Sequence, residues 1–216
     1  MCAAWHPRSR RRPRGWDHRP VGSEIVSLRA HPPDDAVLPE RHQDAPAPGQ
    51  QIDSHYHRCF GCGDDHSTGL HLHVVAGEGL TLTGRFTVTE DHQGAPGLAH
   101  GGLLSLAFDE ALGALAWLVR LPAVTARLET DYRRPVPVGT TLHITARVDG
   151  MKGRRLYLSA DGRSGDPAGP VAVRARAVFA VVPLEHFRTF GRAEDVAAAL
   201  ARSEVRDRAA AFEVNP

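Results

Sequence analysis

Two periodicities divide the chain. Between positions 70 and 88 apolar residues fall at every second place: Leu70, Leu72 and Val74, then Leu80, Leu82, Phe86 and Val88 after the turn Gly77-Glu78-Gly79. That spacing predicts two half-buried strands joined as a hairpin. From 100 to 120 the pattern changes. Leu103, Leu104, Leu106, Ala107, Phe108, Ala111, Leu112, Leu115 and Trp117 surround nearly the whole of a helical cylinder, and Leu121-Pro122 closes it. A helix that is apolar on most sides is buried on most sides. Alternation then returns in four runs. Residues 123–134 place Val124, Ala126, Leu128, Thr130 and Tyr132 on one face, with Thr125, Arg127, Glu129, Asp131 and Arg133 on the other. Leu142, Ile144, Ala146 and Val148 lead to Asp149-Gly150. Leu156, Leu158 and Ala160 lead to Asp161-Gly162, and residues 171–181 run up to Pro183. The turn dipeptides between runs predict antiparallel neighbours. The economical packing is an α+β fold: a curved antiparallel β-sheet wrapped around one long central helix.

The flanks read differently. Residues 1–50 are dominated by Arg, His, Pro, Asp and Gln, with Pro32-Pro33, Pro39, Pro46 and Pro48 interrupting any helix. Such a composition buries too little surface to offset its ordering entropy, so a disordered tail is expected, with only residues 21–28 apolar enough for a short ordered piece. Within the first twenty residues Arg8, Arg10, Arg11, Arg12, Arg14 and Arg19 face Asp17 alone. The run reads as a solvated tail ahead of a nucleic-acid patch, a membrane patch or a transit peptide. The domain proper is expected over 51–185, and a helical extension over 186–216.

Bulk properties exclude little. A net charge of +1, with 42% hydrophobic and 24% charged residues, gives no overall case for nucleic acid or membrane as a partner. No apolar run is read as long enough to span a bilayer, and no secretory signal opens the chain. Three cysteines, an odd number, argue against a disulfide framework and for a reducing, cytoplasmic setting.

Candidate chemistry concentrates at the start of the long helix. Gly101 and Gly102 follow His100 where backbone N–H groups lack intrahelical partners, and glycines let a ligand oxygen approach them. Asp109 is a carboxylate inside the apolar helix, either paired or kept for chemistry. It lies nine residues past His100, about 13 Å along the axis at ~1.5 Å per residue, and on the opposite face by ~100° steps. A reacting atom needs nucleophile and oxyanion donors together. Two-fold pairing, with Asp109 of one chain facing the Gly-Gly turn of its partner, reconciles the two and predicts an obligate homodimer.

A second motif, His55-Tyr-His57-Arg-Cys59-Phe-Gly-Cys62-Gly63-Asp-Asp-His66, invites a zinc reading. No second Cys pair exists. A closed site would draw on His57 or His66 at non-standard spacing, and a redox pair would want a strand-to-helix context. The motif therefore reads first as a structural turn, and no metal ligand is assigned.

Taken together, Cys59-Phe-Gly-Cys-Gly, Gly69-Leu70, the segment from His92 through His100-Gly101-Gly102 to Asp109-Glu110, Thr125, Tyr132-Arg133-Arg134-Pro135 and Pro137-Val-Gly139-Thr140 resemble the hotdog-fold acyl-CoA thioesterases of the phenylacetyl-CoA thioesterase-like (PaaI-like) branch. The likeness covers about residues 58–183. It implies a homodimer or dimer of dimers that hydrolyses an acyl-CoA to a carboxylate and coenzyme A without metal or organic cofactor. It also implies roles. Asp109 attacks the carbonyl or acts as base on water. Gly102, with Gly101, donates backbone N–H to the thioester oxygen. His100 shapes the turn, and Thr125, sixteen residues after Asp109, positions the water or carboxylate. His92 and Gly94 lie in the substrate loop. Gly94 stands where some members carry Asn, which leans the reading from aryl towards fatty acyl chains. A basic rim for the coenzyme A phosphates would draw on Arg133, Arg134, Lys152, Arg154 and Arg155. Two alternatives stand beside this reading: a non-catalytic acyl-CoA-binding or regulatory protein on the same fold, and an acyl-thioester hydratase or dehydratase.

Overall fold

A computed structural model describes residues 29–201. The chain forms β1 (Gln51–Ile52), β2 (His73–Ala76), β3 (Thr81–Thr87), a 3-10 turn (Glu90–His92), β4 (Gln93–Ala95), β5 (Leu98–Ala99), α1 (Gly101–Ala114), α2 (Ala116–Val119), β6 (Ala123–Tyr132), β7 (Thr141–Lys152), β8 (Arg155–Ser164), β9 (Val171–Val181), α3 (Glu185–Phe190) and α4 (Ala193–Ala201). Seven strands make one antiparallel sheet in the order β1-β2-β3-β7-β8-β9-β6. β4 and β5 form a separate small hairpin. The expected sheet around a central helix is present, with β6 as a ten-residue edge.

Helix and sheet meet through large apolar side chains. Phe108, Leu112, Leu115 and Leu118 on the helical side, and Leu82, Leu142, Ile144, Leu156 and Leu158 on the sheet, are all buried in one cluster. The predicted helix over 100–120 is broken at Leu115, and Arg120 ends α2 in the left-handed region at φ 55°. The run Gly101–Val119 is, by length and composition, apolar enough to cross a membrane. That corrects the reading that no run is long enough. In this fold it is the core helix beneath the sheet.

Two turn assignments are corrected. β7 runs through Asp149-Gly150 and β8 runs through Asp161-Gly162. These glycines serve close approach instead. A Cβ at Gly162 would lie 2.6 Å from Cζ of Phe108, and one at Gly150 would lie 3.2 Å from Cβ of Ala36. The reversal after β7 falls at Gly153, φ 56°, and the one after β8 begins at Gly165, φ 79°.

The disorder expected for residues 1–50 does not extend over 29–50. Ala30 is buried against Tyr157 and Val178 on the outer face of the sheet. Val37 bridges Met151, and Asp35 takes an ion pair from Lys152 at 2.6 Å. The Arg41 guanidinium donates to the carbonyl oxygens of Gly77, Gly79 and Pro46. The physical cause is an apolar strip on the outer face that this segment covers. The Arg-rich run, residues 21–28 and the helix expected beyond 201 lie outside the described residues.

Candidate functional site

The start of α1 is built by a histidine. His100 is extended (φ −68°, ψ 129°), and its Nδ1 accepts the Gly102 N–H at 2.9 Å. The ring thus fills the role usually taken by Ser, Asp or Asn at a helix N-cap. This revises the expected part of Gly102, since in this state its N–H donates to His100 and not to an open position. The β4–β5 hairpin lies directly over His100. A Cβ on Gly94 would sit 2.7 Å from the His100 Cα, so a larger residue there collides with backbone. Behind it, His92 is 2% exposed and packs on Phe86, with Nδ1 accepting the Thr89 N–H at 3.0 Å and Nε2 without a hydrogen-bond partner among the described residues. Its place is the wall under the hairpin, which removes it from the open face where a substrate contact was expected.

Strand β6 lies along one stripe of α1. Tyr132 donates its hydroxyl to the Gly101 carbonyl at 2.7 Å, Ser105 bonds Thr130 at 3.3 Å, and Thr125 donates to Asp109 Oδ1 at 2.7 Å. Residues 101, 105 and 109 are four apart, so they stack on one helix face. Thr125 belongs with Thr130 and Tyr132 only because the β6–β9 register shifts between Thr125 and Arg127. A bulge of this kind moves later residues to the other face. The strict alternation expected for residues 123–134 is therefore wrong at this point. The helix start and Asp109 also share a face, so length alone separates them, by about 10 Å between Gly102 and Asp109 at ~1.5 Å per residue.

Asp109 is half-buried, and that burial raises its carboxyl above the usual range. The Thr125 hydroxyl opposes the rise, while Glu110 and Cys59 add to it. Thr125, Ala126 and Arg127 are exposed, so the carboxylate looks out along the sheet edge.

The basic candidates separate into two groups. Arg133 and Arg134 line a surface cleft of about 320 Å³ with Leu98, Gly101, Leu104 and Tyr132, at the helix start. Arg155 pairs across from Ala180, and Arg154 donates to the Val181 carbonyl at 2.8 Å. Val181 is opposite Ala123, while Val173 is opposite Tyr132. The groups therefore sit at opposite ends of β9, about 25 Å apart at ~3.3 Å per residue. Lys152 is engaged by Asp35. A single rim of all five is not formed within one chain.

Residues 96–171 match the model of the Thioesterase superfamily. Over that segment the chain is similar to the thioesterase superfamily, and its sheet wrapped around one helix is the hotdog fold. A 74-residue stretch is 39% identical to acyl-coenzyme A thioesterase THEM4 of Bos taurus, covering 34% of this chain and 30% of the relative. This chain thus matches less than a third of that protein's length. The crystal structure of a thioesterase superfamily protein superposes with a TM-score of 0.54 at 25% identity, over 64% of this chain and 70% of the other. The E. coli PaaI protein superposes with a TM-score of 0.50 at 20% identity, over 56% and 86%, a likeness of fold.

Three residues ahead of the matched segment and one inside it form a four-residue constellation that sequence reasoning missed in part. His55, Cys59, Cys62 and Glu110 each bring a ligand-type atom, all within 4.8 Å of one another. Cys62 Sγ lies 3.2 Å from His55 Nδ1, Cys59 Sγ lies 3.2 Å from Glu110 Oε2, and His55 Nδ1 lies 3.4 Å from Glu110 Oε1. The two histidines first considered are elsewhere. His57 Nε2 faces Asp65 at 3.9 Å, and His66 packs on Phe60. Burial works against a charge on His55, but Cys59 and Glu110 hold its imidazole well above the usual value, at about 10. Hydrogen bonding from Cys62 pulls the Cys59 thiol down, and the same contact with burial pushes Cys62 up. The signal available in the sequence was the acidic pair Asp109-Glu110, whose two carboxylates leave the helix in different directions.

Proposed function

We propose that this protein is an acyl-CoA thioesterase acting as a homodimer, with Asp109 from one subunit and the His100-Gly101-Gly102 helix start from the other forming each site. The observation that carries this reading is the Thr125–Asp109 pair. It is an oriented, half-buried carboxylate at the open edge of a thioesterase superfamily domain, remote from the helix start of its own chain. The outer edge of β6, which pairs with no strand among the described residues, supports two-fold pairing, because a ten-residue edge strand offers a row of backbone donors and acceptors to a second copy.

In the reaction, water and the thioester RCO–SCoA give RCOO⁻, a proton and the thiol HSCoA. Asp109 delivers the oxygen, either its own Oδ or that of a water it deprotonates. Thr125 holds the carboxylate by its 2.7 Å bond. The developing oxyanion is met at the partner's helix start, where the substrate oxygen displaces His100 Nδ1 from the Gly102 N–H. Arg133 and Arg134 lie beside that helix start and suit the phosphates of coenzyme A. Half-exposed Leu103 and Leu106 on α1 offer apolar surface to the acyl chain. Gly94, standing where some PaaI-like members carry Asn, leans the reading towards a fatty acyl group over an aryl group.

The test is free-thiol release from short, long and aryl acyl-CoAs, run for wild type and Asp109→Asn. Turnover by wild type and a loss of at least a hundredfold in the variant support the reading. Binding of acyl-CoA without hydrolysis by either protein establishes a ligand-binding module instead. A fully active monomer in sedimentation refutes the shared site.

A further inference from the structure

The geometry points to a structural zinc site made by His55 Nδ1, Cys59 Sγ, Cys62 Sγ and one carboxylate oxygen of Glu110, clamping the loop 54–66 onto helix α1. Zinc takes four ligands tetrahedrally, at ~2.3 Å to sulfur and ~2.0–2.2 Å to nitrogen or oxygen. A tetrahedron with such arms has edges of roughly 3.3–3.8 Å. The separations in the structure are 3.2 Å from Cys62 Sγ to His55 Nδ1, 3.2 Å from Cys59 Sγ to Glu110 Oε2 and 3.4 Å from His55 Nδ1 to Glu110 Oε1, so one Glu110 oxygen faces Cys59 and the other faces His55, and a small turn of the carboxylate brings a single oxygen to the fourth corner. No ligand atom is more than 4.8 Å from another. The donor set is two thiolates, an imidazole and a carboxylate, which suits a borderline-soft dication and leaves no open position.

The surroundings are shaped to the same end. The Gly61 N–H donates to Cys59 Sγ at 3.3 Å, and Ser54 Oγ lies 3.4 Å from Cys62 Sγ, contacts of the kind that orient metal ligands. A Cβ on Gly61 would lie 2.5 Å from Glu110 Oε2, so the glycine makes room for the carboxylate to reach the cysteines. A Cβ on Gly63 would lie 2.4 Å from the His57 carbonyl oxygen and 2.6 Å from the Cys59 nitrogen, so the loop closes this tightly only with glycine there. Three of the four ligands come from one short loop. The fourth comes from the helix, at the residue next to Asp109. On binding, the protons carried by the two thiols and by His55 Nδ1 leave to solvent, and zinc keeps its oxidation state.

This assignment does not rest on the proposed reaction, and its test reads metal and not turnover. The full chain is purified reduced, equilibrated with zinc, dialysed and assayed for bound metal. One zinc per chain is expected. Cobalt in its place should give the visible absorption of a tetrahedral ion together with thiolate-to-cobalt charge transfer in the near ultraviolet. Cys59→Ser with Cys62→Ser should abolish both signals. Glu110→Gln should weaken zinc binding at least tenfold, and His66→Ala should leave it unchanged. Folded, reduced wild type that retains no zinc overturns the site. So does an octahedral cobalt spectrum, or retention of full affinity by the double serine variant.

Discussion

Replacing Thr125 with Val removes one hydroxyl and keeps the branched shape. In the structure that hydroxyl donates to Asp109 Oδ1 at 2.7 Å, from an exposed position on β6. A hydrogen bond to a charged group contributes about 1.5–3 kcal/mol. The pair is half-open to solvent, so the lower end of that range applies. About 1.5 kcal/mol of lost orientation in the transition state corresponds to roughly a tenfold drop in rate. The loss should appear in kcat, since Thr125 holds the carboxylate and not the coenzyme. Thr125→Ser should recover most of the rate. Because the side chain is exposed, the urea midpoint of Thr125→Val should stay close to wild type. The assay is thiol release under saturating acyl-CoA, with a denaturation curve for each variant. Thr125→Val working within twofold of wild type would refute the claim that this contact positions the reacting carboxylate.

Three further expectations concern the fold around the site. Gly162→Ala should destabilise by about 1–3 kcal/mol through overlap with the fully buried Phe108 ring, and Phe108→Leu should relieve part of that cost in a double-mutant cycle. An unchanged midpoint for the single variant would show that the ring can move. His100→Ala removes the cap on Gly102 and should cost about 1 kcal/mol, with His100→Asn retaining most of it, as read by thermal melts. Ala30→Asp places a carboxylate against Tyr157 and Val178 and should cost about 2 kcal/mol or more, whereas a neutral outcome would mean that the covering segment lifts away freely.

The order of two strands, one long helix and four strands was legible because both periods are strongly marked and the apolar run from Leu103 to Trp117 has no competing pattern. Asp109 and Thr125 were legible as a pair by resemblance, but the pairing's physical basis was not. Period-two counting puts Thr125 on the face opposite Tyr132, and only the register shift before Arg127 brings both to α1. The Asp-Gly pairs misled for a related reason. Glycine marks either a turn or a close approach, and the Phe108 ring that decides the matter at Gly162 is 54 residues away in the chain. The same distance problem hid Glu110 from the cysteine loop. Residues 29–50 looked too polar to fold, which holds for a segment judged by its own core. This one instead covers a strip supplied by β8 and β9.

The strand order sets a schedule for synthesis. Among the described residues β6 hydrogen-bonds only to β9, whose last residue is Val181. Until β9 has left the ribosome, residues 123–132 cannot complete this pairing, which starts at Tyr132 opposite Val173 and ends at Ala123 opposite Val181, and the helix they flank lacks one of its walls. The earlier hairpins can form as they emerge, but closure waits for the far end of the domain. During that interval an apolar helix and a bare strand are both open to nascent neighbours, so the first contact between two chains can precede completion of either one.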